Sequence, residues 1–463
     1  MSDAQQSSGV RKFKEQGGAA TMDPRPLRRW IGSRIATHVG SERYLLKQRR
    51  KAESQRKKSG SPHIVEYFHQ TEDGYSHLAL QKLAALKERY DIELRCHLVQ
   101  GPSGDNLPEP ELLLQLASYD AKLIAPHFGA AFPATEGTPS SDLVAKANRV
   151  LATLDDEQFA EDATRVSEAL WRYDATALEA LASELGEASD VDTAAAIDAG
   201  TSRRTELKHY SGAMFYYGGE WYWGVDRLYH LENRLKSLGC DRRSEDGLLT
   251  PSNQIASFEP DTASELILEV FPSLRSPYTA VIFDKTLEIA AESGVQLKVR
   301  PVLPMVMRGV PATMEKGIYI FTDAAREARA LGVPFGKMAD PIGEPVRRAY
   351  SLYPWVVSKG KGNEFLSSFL SAAFAEGINT NAMKGLRTVV ERIGLSWSEA
   401  QGHLGDTAWE AEFEANRLAM YEAGLWGVPS YRLLDSEGRQ VLAVWGQDRL
   451  WLVSKTVKDL ISD

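Results

Sequence analysis

The chain has 463 residues, of which 43% are hydrophobic and 25% are charged, and its formal net charge is -9. These values are typical of soluble globular proteins, and the length allows two to three domains. The sequence has no run of about 18 apolar residues, no apolar signal core near its polar N-terminus and only two cysteines, Cys96 and Cys240. We therefore expect a cytoplasmic protein with no membrane span and no disulfide framework.

The first 60 residues form a basic N-terminal arm. They hold 15 Lys and Arg against 5 Asp and Glu, whereas the remaining residues hold 39 against 58. Such an arm either contacts nucleic acid or anionic lipid, or forms a solvated or docked helix. The apolar residues Leu27, Trp30 and Ile35 suit a helix docked on the acidic body. We expect this second arrangement and no nucleic-acid partner.

After the arm, the sequence partly repeats itself at an offset of about 200 residues. The repeat is too long for a short-period solenoid and predicts two homologous domains in tandem. The matching segments are Ile64–Phe68 with Ile267–Phe271, Ile92–Val99 with Val295–Val302, and, at an offset of 222, Trp223–Leu228 with Trp445–Leu450.

Each copy has the same predicted order of elements. A strand comes first, and a helix follows it (Leu78–Arg89 or Ala280–Ser293). A second strand then lies parallel to the first. After it come a long helical stretch (108–200 or 310–424), two short strands and a last helix. This order predicts an α/β protein with two tandem thioredoxin-like domains, each carrying a helical insertion. The predicted divisions are the arm at 1–60, a degenerate domain at 61–245, a linker at 246–263 and a second domain at 264–463.

The junction between the first strand and first helix of the second copy reads Ser276-Pro277-Tyr278-Thr279. A thioredoxin-type redox protein would carry Cys-x-x-Cys there, but serine cannot act as the attacking thiolate. A hydroxyl at a helix N-terminus can still donate a hydrogen bond to an external thiolate, which the helix dipole also favours. Ser276 therefore indicates a site for a thiol cofactor, with an ordinary helix N-cap as the alternative.

The second copy resembles the DsbA-like branch of the thioredoxin superfamily, and within it 2-hydroxychromene-2-carboxylate isomerases and kappa-class glutathione transferases. The signatures are Ser276-Pro277-Tyr278, Lys316-Gly-Ile-Tyr with Asp323 following, Gly427-Val428-Pro429, and Gly446-Gln447-Asp448-Arg449-Leu450.

The resemblance implies glutathione as the cofactor and Ser276 as the residue that stabilises its thiolate. It also implies a cis bond before Pro429, with Val428 pairing its backbone with the cysteinyl part of glutathione. Asp448 would bind the ammonium group of glutathione, and a backbone N–H of Gln447 or Asp448 would bind its α-carboxylate. Lys316 would bind the glycyl carboxylate. The structural alternatives are a strand-leading proline, an acidic helix start and a solvated lysine.

The pattern departs from the family in several places. Val310-Pro311 stands where the isomerases have Asn-Pro, which leaves the substrate open. Arg308 is either an anion-recognition residue or solvated, and Arg275 either adds positive potential beside the thiolate or is solvated.

The first copy departs further. Asp73 takes the place of Ser276, and Gly212 approximately that of Pro429. A carboxylate at this position would repel a thiolate, so we do not expect the first copy to bind glutathione catalytically.

The favoured function is a glutathione-dependent isomerase or transferase acting on a small aromatic or electrophilic compound. The alternatives are a non-catalytic interaction protein and, least favoured, a thiol-disulfide oxidoreductase. We expect no metal site, because the nine histidines lack ligand spacing. We also expect the two domains to pair within the chain, with a further homodimer left open.

Overall fold

A computed structural model describes residues 23–259, 264–310 and 312–462. The chain divides into two compact units. The first unit is Leu46–Asn253, and the second unit comprises the described residues of Met1–Leu45 and Gln254–Asp463. The predicted domain bounds stay a prediction, and Pro311, the first 22 residues of the arm and residues 260–263 of the predicted linker lie outside the described residues. Among the helices described, none is both long and apolar enough to cross a membrane.

Two helices occupy the described part of the basic arm, α1 (Pro26–Gly40) and α2 (Glu42–Ser59). Helix α1 packs on the second unit through its polar side: Arg29 donates to the carbonyl of Asp340 at 2.8 Å, and Ser33 accepts from the backbone N–H of Asp340 at 3.0 Å. Leu27 and Trp30 are 68% and 59% exposed. The expected docking through these apolar residues is therefore wrong, because backbone groups of the 340 segment select the polar side of the helix.

The first unit is built on a four-stranded sheet with the order β2-β1-β3-β4. Its strands are β1 (Ile64–His69), β2 (Glu93–Leu98), β3 (Met214–Tyr217) and β4 (Glu220–Trp223). Its helices are α3 (Gly74–Leu80), α4 (Leu83–Arg89), α5 (Pro110–Ile124), α6 (Ser141–Leu151), α7 (Asp156–Trp171), α8 (Ala175–Leu185), α9 (Asp190–Glu206) and α10 (Leu228–Ser237). The predicted helix Leu78–Arg89 is broken after Leu80, where the Gln81 side-chain amide donates to the carbonyl of His77 at 3.1 Å.

The second unit has a sheet with the equivalent order, β6-β5-β7-β8. Its strands are β5 (Ile267–Phe271), β6 (Gln296–Val299), β7 (Ser430–Leu434) and β8 (Gln440–Trp445). Its helices after α1 are α11 (Pro277–Ser293), α12 (Met314–Leu331), α13 (Glu344–Ser358), α14 (Gly362–Ser371), α15 (Met383–Arg392), α16 (Trp397–Ala400), α17 (Trp409–Glu422) and α18 (Leu450–Ser462).

The two sheets also agree in strand direction. In each, the first two strands are parallel and the last two pair antiparallel. The parallel pair is connected by helical segments, as a parallel connection requires, and the long helical stretch lies between the second and third strands. The α/β fold class is confirmed, and the equal strand orders support the predicted duplication.

A buried glutamate lies in the first strand of each sheet. Glu66 accepts hydrogen bonds from Arg203 at 2.7 Å and His97 at 3.1 Å. Glu269 accepts from Arg300 at 2.7 Å and also pairs with Arg432. Burial alone would raise the pKa of Glu66, but these hydrogen bonds outweigh it and lower the pKa to about 2.

We predict that Glu66→Gln destabilises the first unit by about 2 kcal/mol at pH 7. Because folding lowers the pKa of Glu66 from 4.5 to about 2, its contribution is present above pH 4.5 and is lost as the pH falls through this window. Urea unfolding of wild type and variant between pH 7 and pH 2 measures the difference. Glu93→Gln, which changes an exposed glutamate on β2, is the control and leaves the midpoint nearly unchanged; a pH-independent difference for Glu66→Gln would contradict the prediction.

Candidate functional site

Ser276 caps the helix that follows the first strand of the second unit. Its Oγ accepts a hydrogen bond from the backbone N–H of Thr279 at 3.1 Å. Pro277 occupies the first helical position, where its missing N–H has no cost. This is why α11 begins at Pro277, three residues before the predicted start. Ser276 is only 8% exposed.

The Ser276 turn meets the Val428-Pro429 loop before β7. The Ser276 hydroxyl donates to the carbonyl of Val428 at 3.2 Å, and the Val428-Pro429 peptide bond is cis. The carbonyl of Pro429 in turn accepts from the N–H of Gly446 at 2.9 Å. Three of the sequence signatures thus lie next to one another, although 152 positions separate Ser276 from Val428.

Two buried groups fix the loop that carries Val428. Arg308 is 1% exposed and donates to the carbonyls of Leu303 and Trp426 at 3.0 and 3.1 Å. Arg308 is therefore not solvated, and its alternative role in anion recognition stays a prediction. Gly427 lies against the ring of Trp445, where an added Cβ would come within 2.0 Å.

The segment after Gly446 forms a short 3₁₀ turn, Gln447–Arg449, that packs against α11. The buried Gln447 amide donates to the Glu327 carboxylate at 2.8 Å, which fixes the turn and leaves only the Gln447 backbone for a ligand. The Asp448 side chain is 25% exposed and lies over Gly446, where an added Cβ would be 2.3 Å from its Oδ1.

Helix α12 carries the remaining predicted residue, Lys316. Its backbone N–H is capped by the Thr313 hydroxyl at 3.2 Å. Seven residues later on the same helix face, Asp323 accepts from the Tyr278 hydroxyl at 2.8 Å and so joins α12 to the first turn of α11. Lys316 is half-buried, and burial lowers its pKa. It therefore lies about two turns, roughly 10 Å, along α12 from the Tyr278 contact.

Arg275, next to Ser276, is held by Asp340. Two hydrogen bonds of 2.9 and 3.1 Å join the guanidinium to the carboxylate. Arg275 is therefore neither solvated nor an uncompensated positive charge beside the site. Asp340, whose backbone binds Arg29 and Ser33, was not predicted to take part, because no local pattern links it to Arg275 across 65 residues.

The first unit repeats part of this arrangement. Asp73 caps α3, accepting from the backbone N–H and the hydroxyl of Ser76 at 2.9 Å each. Tyr75 donates to Asp120 at 2.8 Å, the counterpart of the Tyr278 bond to Asp323. Burial raises the pKa of Asp73 to about 6, although the bonds from Ser76 oppose it. In strand register, Ala213 rather than Gly212 takes the place of Pro429.

Over the described ranges, no group of three or more His, Cys, Asp and Glu side chains is placed to hold a metal ion. Both cysteines are free. Neither lies in the Ser276 turn.

A search of solved structures finds chains that are similar to part of this one. A 2-hydroxychromene-2-carboxylate isomerase is 18% identical, with 42% of this chain and 95% of that chain covered and a TM-score of 0.35. A probable DsbA oxidoreductase from Streptomyces coelicolor is 18% identical over 42% and 90%, with a TM-score of 0.33. The cytosolic disulfide reductase DsbM from Pseudomonas aeruginosa with GSH is 18% identical over 42% and 98%, with a TM-score of 0.33.

Among curated proteins, none matches the sequence. A family model does match, that of the DSBA-like thioredoxin domain, and it covers residues 267–458. This range runs from β5 into α18 and includes the Ser276 turn, the Val428-Pro429 loop and the Gln447–Arg449 turn. Residues 267–458 of the chain thus form a DSBA-like thioredoxin domain.

Proposed function

We propose that the second unit is a glutathione-dependent isomerase or transferase acting on a small aromatic or electrophilic compound. One observation carries the proposal: the Ser276 hydroxyl, at the N-terminus of α11, donates a hydrogen bond to the Val428 carbonyl beside Pro429. A hydrogen-bond donor at a helix N-terminus, next to the backbone groups of Val428, fits a cysteinyl residue whose sulfur is a thiolate.

The cap and the proposed function use different parts of the Ser276 hydroxyl. Capping of Thr279 uses an oxygen lone pair, so the proton can turn from Val428 to a bound sulfur while α11 stays capped. A charge-assisted hydrogen bond of this kind contributes roughly 1.5–3 kcal/mol. The Val428 carbonyl, released by the same rotation, becomes an acceptor for the backbone N–H of the cysteinyl residue.

Glutathione, when bound, supplies a thiolate that adds to an electrophilic carbon of the substrate. Ser276 keeps the sulfur deprotonated near neutral pH. Asp448, partly exposed over Gly446, offers a carboxylate for the ammonium group of glutathione. The backbone N–H groups of Gln447 and Asp448 offer an anion site for its α-carboxylate. Lys316, half-buried on α12, offers a cation for the glycyl carboxylate.

A non-catalytic interaction protein is the second candidate. It is favoured by the same contact, because Ser276 already has a donor in Thr279 and an acceptor in Val428 within the chain. The cytoplasmic location, the pairing of the two domains within the chain and a further homodimer stay predictions.

We predict that Ser276→Ala raises the thiol pKa of bound glutathione by about 1–2 units, because one charge-assisted hydrogen bond is lost. Ser276→Asp keeps the helix cap, as Asp73 does in α3. Its carboxylate repels the thiolate, so we expect the thiol of bound glutathione to stay protonated at pH 7. The thiolate absorbance of the complex is measured against pH for both variants. Asp73→Ser is the matched control in the first unit and leaves the titration unchanged.

This experiment separates the two candidate functions. If titration calorimetry finds no binding of glutathione at millimolar concentration, the enzymatic proposal fails. An equal thiol pKa in wild type, Ser276→Ala and Ser276→Asp would show that Ser276 is only a helix cap.

We predict that Asp448→Asn weakens glutathione binding about tenfold, equivalent to about 1.4 kcal/mol, by removing the charge that faces the ammonium group. An analogue of glutathione that lacks the α-amino group is expected to bind wild type and Asp448→Asn equally, because it has no ammonium group to pair with the Asp448 carboxylate. Titration calorimetry with both ligands measures the four affinities. Asp226→Asn, at the matching position of the first unit, is the control; an equal loss for both ligands would contradict the assigned role.

We predict that the chain does not reduce insulin with glutathione as the reductant. Burial raises the pKa of Cys96, and it raises that of Cys240 to about 11, so little thiolate is available near neutral pH. A variant with Cys96→Ser and Cys240→Ser is expected to bind glutathione like wild type. Turnover of insulin by wild type that the double variant lacks would favour a thiol-disulfide oxidoreductase instead.

A further inference from the structure

Helix α9 lies across the sheet of the first unit. Near its middle, Thr201 accepts a hydrogen bond from the backbone N–H of Gln100, just after β2, at 3.0 Å. Further along, Arg203 binds Glu66 in β1, and the carbonyl of Leu207 accepts from the indole of Trp221 in β4 at 3.1 Å. The helix therefore crosses β2 and β1, and the residue after its end reaches β4.

The helix approaches the sheet closely at Gly200. An added Cβ there would come within 2.0 Å of the carbonyl oxygen of Leu98. Arg204 follows Gly200 by four residues and lies on the same face of α9. It is only 4% exposed, so its charged side chain is buried on the sheet side of the helix.

Arg203 and Arg204 are neighbours with opposite surroundings. Arg203 donates two hydrogen bonds, of 2.7 and 2.8 Å, to the Glu66 carboxylate. In Arg204, the buried Nε and Nη1 atoms have no hydrogen-bond partner among the residues that the structure describes. Burial lowers the pKa of Arg204 to about 10, and at neutral pH the group still carries its charge.

A buried, charged guanidinium with unused donors is unfavourable until an anion joins it. We propose that Arg204 is the centre of a binding site in the first unit for a small molecule that carries an oxyanion, either a carboxylate or a phosphate group. The planar donors of arginine match the oxygens of both groups.

The burial of Arg204 also decides the size of the partner. With 4% of the residue exposed, Nε and Nη1 lie out of reach of a macromolecular surface, so the partner that we propose is a small molecule. This site lies in the unit whose Asp73 disfavours a thiolate. It is therefore separate from the proposed glutathione site and does not rest on that proposal.

Titration calorimetry of the full chain with inorganic phosphate and with acetate, at constant ionic strength in a buffer that contains neither, tests the inference. We expect wild type to bind at least one of them saturably and Arg204→Met to bind it at least tenfold more weakly. Arg172→Met, which changes an exposed arginine of the same unit, binds like wild type. A preference for phosphate assigns a phosphate ester as the ligand class, and a preference for acetate assigns a carboxylic acid.

Arg204→Lys covers the case in which Arg204→Met does not fold. It keeps the buried charge and most of the stem but loses the planar set of donors, so we expect weaker binding than in wild type. The inference is overturned if wild type binds neither anion saturably. It is also overturned if the folded Arg204 variants bind as tightly as wild type.

Discussion

The candidate site depends on one hydrogen bond, from the Ser276 hydroxyl to the Val428 carbonyl. It joins the N-terminus of α11 to the loop before β7, and through the Pro429 carbonyl it extends to Gly446. Since a hydroxyl has a single proton, this bond and a bond to an external sulfur exclude each other. The same contact thus joins these two segments and marks the place where a ligand would have to compete.

The two units show that the strand order does not fix which residues stand at the helix cap and before the third strand. Strand order, strand direction and the tyrosine–aspartate bond of 2.8 Å are the same in both. The differences lie at the helix cap and at the position before the third strand, where Asp73 and Ala213 replace Ser276 and Pro429. The same strand order therefore accompanies a carboxylate cap in one unit and a hydroxyl cap in the other, and function must be argued from each site separately.

Local patterns predict the strands and the helix start near Ser276, because hydrophobic alternation and N-cap chemistry act over a few residues. The cis bond before Pro429 followed only from the family resemblance, since few X-Pro bonds are cis. Long-range pairs could not be predicted in this way. The Arg275–Asp340 ion pair and the Arg308 bond to Trp426 join residues 65 and 118 positions apart. The docking side of α1 was also missed, because the backbone groups near Asp340 that select it are about 300 residues away.

These long-range pairs limit the electrostatics of the site. Arg275 is paired with Asp340, so it offers no uncompensated positive charge to a sulfur near Ser276. Two favourable terms for a thiolate are the hydrogen bond from Ser276 and the N-terminus of α11, whose dipole contributes typically 0.3–1 kcal/mol. Together with roughly 1.5–3 kcal/mol from the hydrogen bond, they lower a thiol pKa by about 1–3 units. From an ordinary thiol pKa of about 8.5, that is enough to bring the thiol into the neutral range, and the loss of the Ser276 proton would cancel most of it.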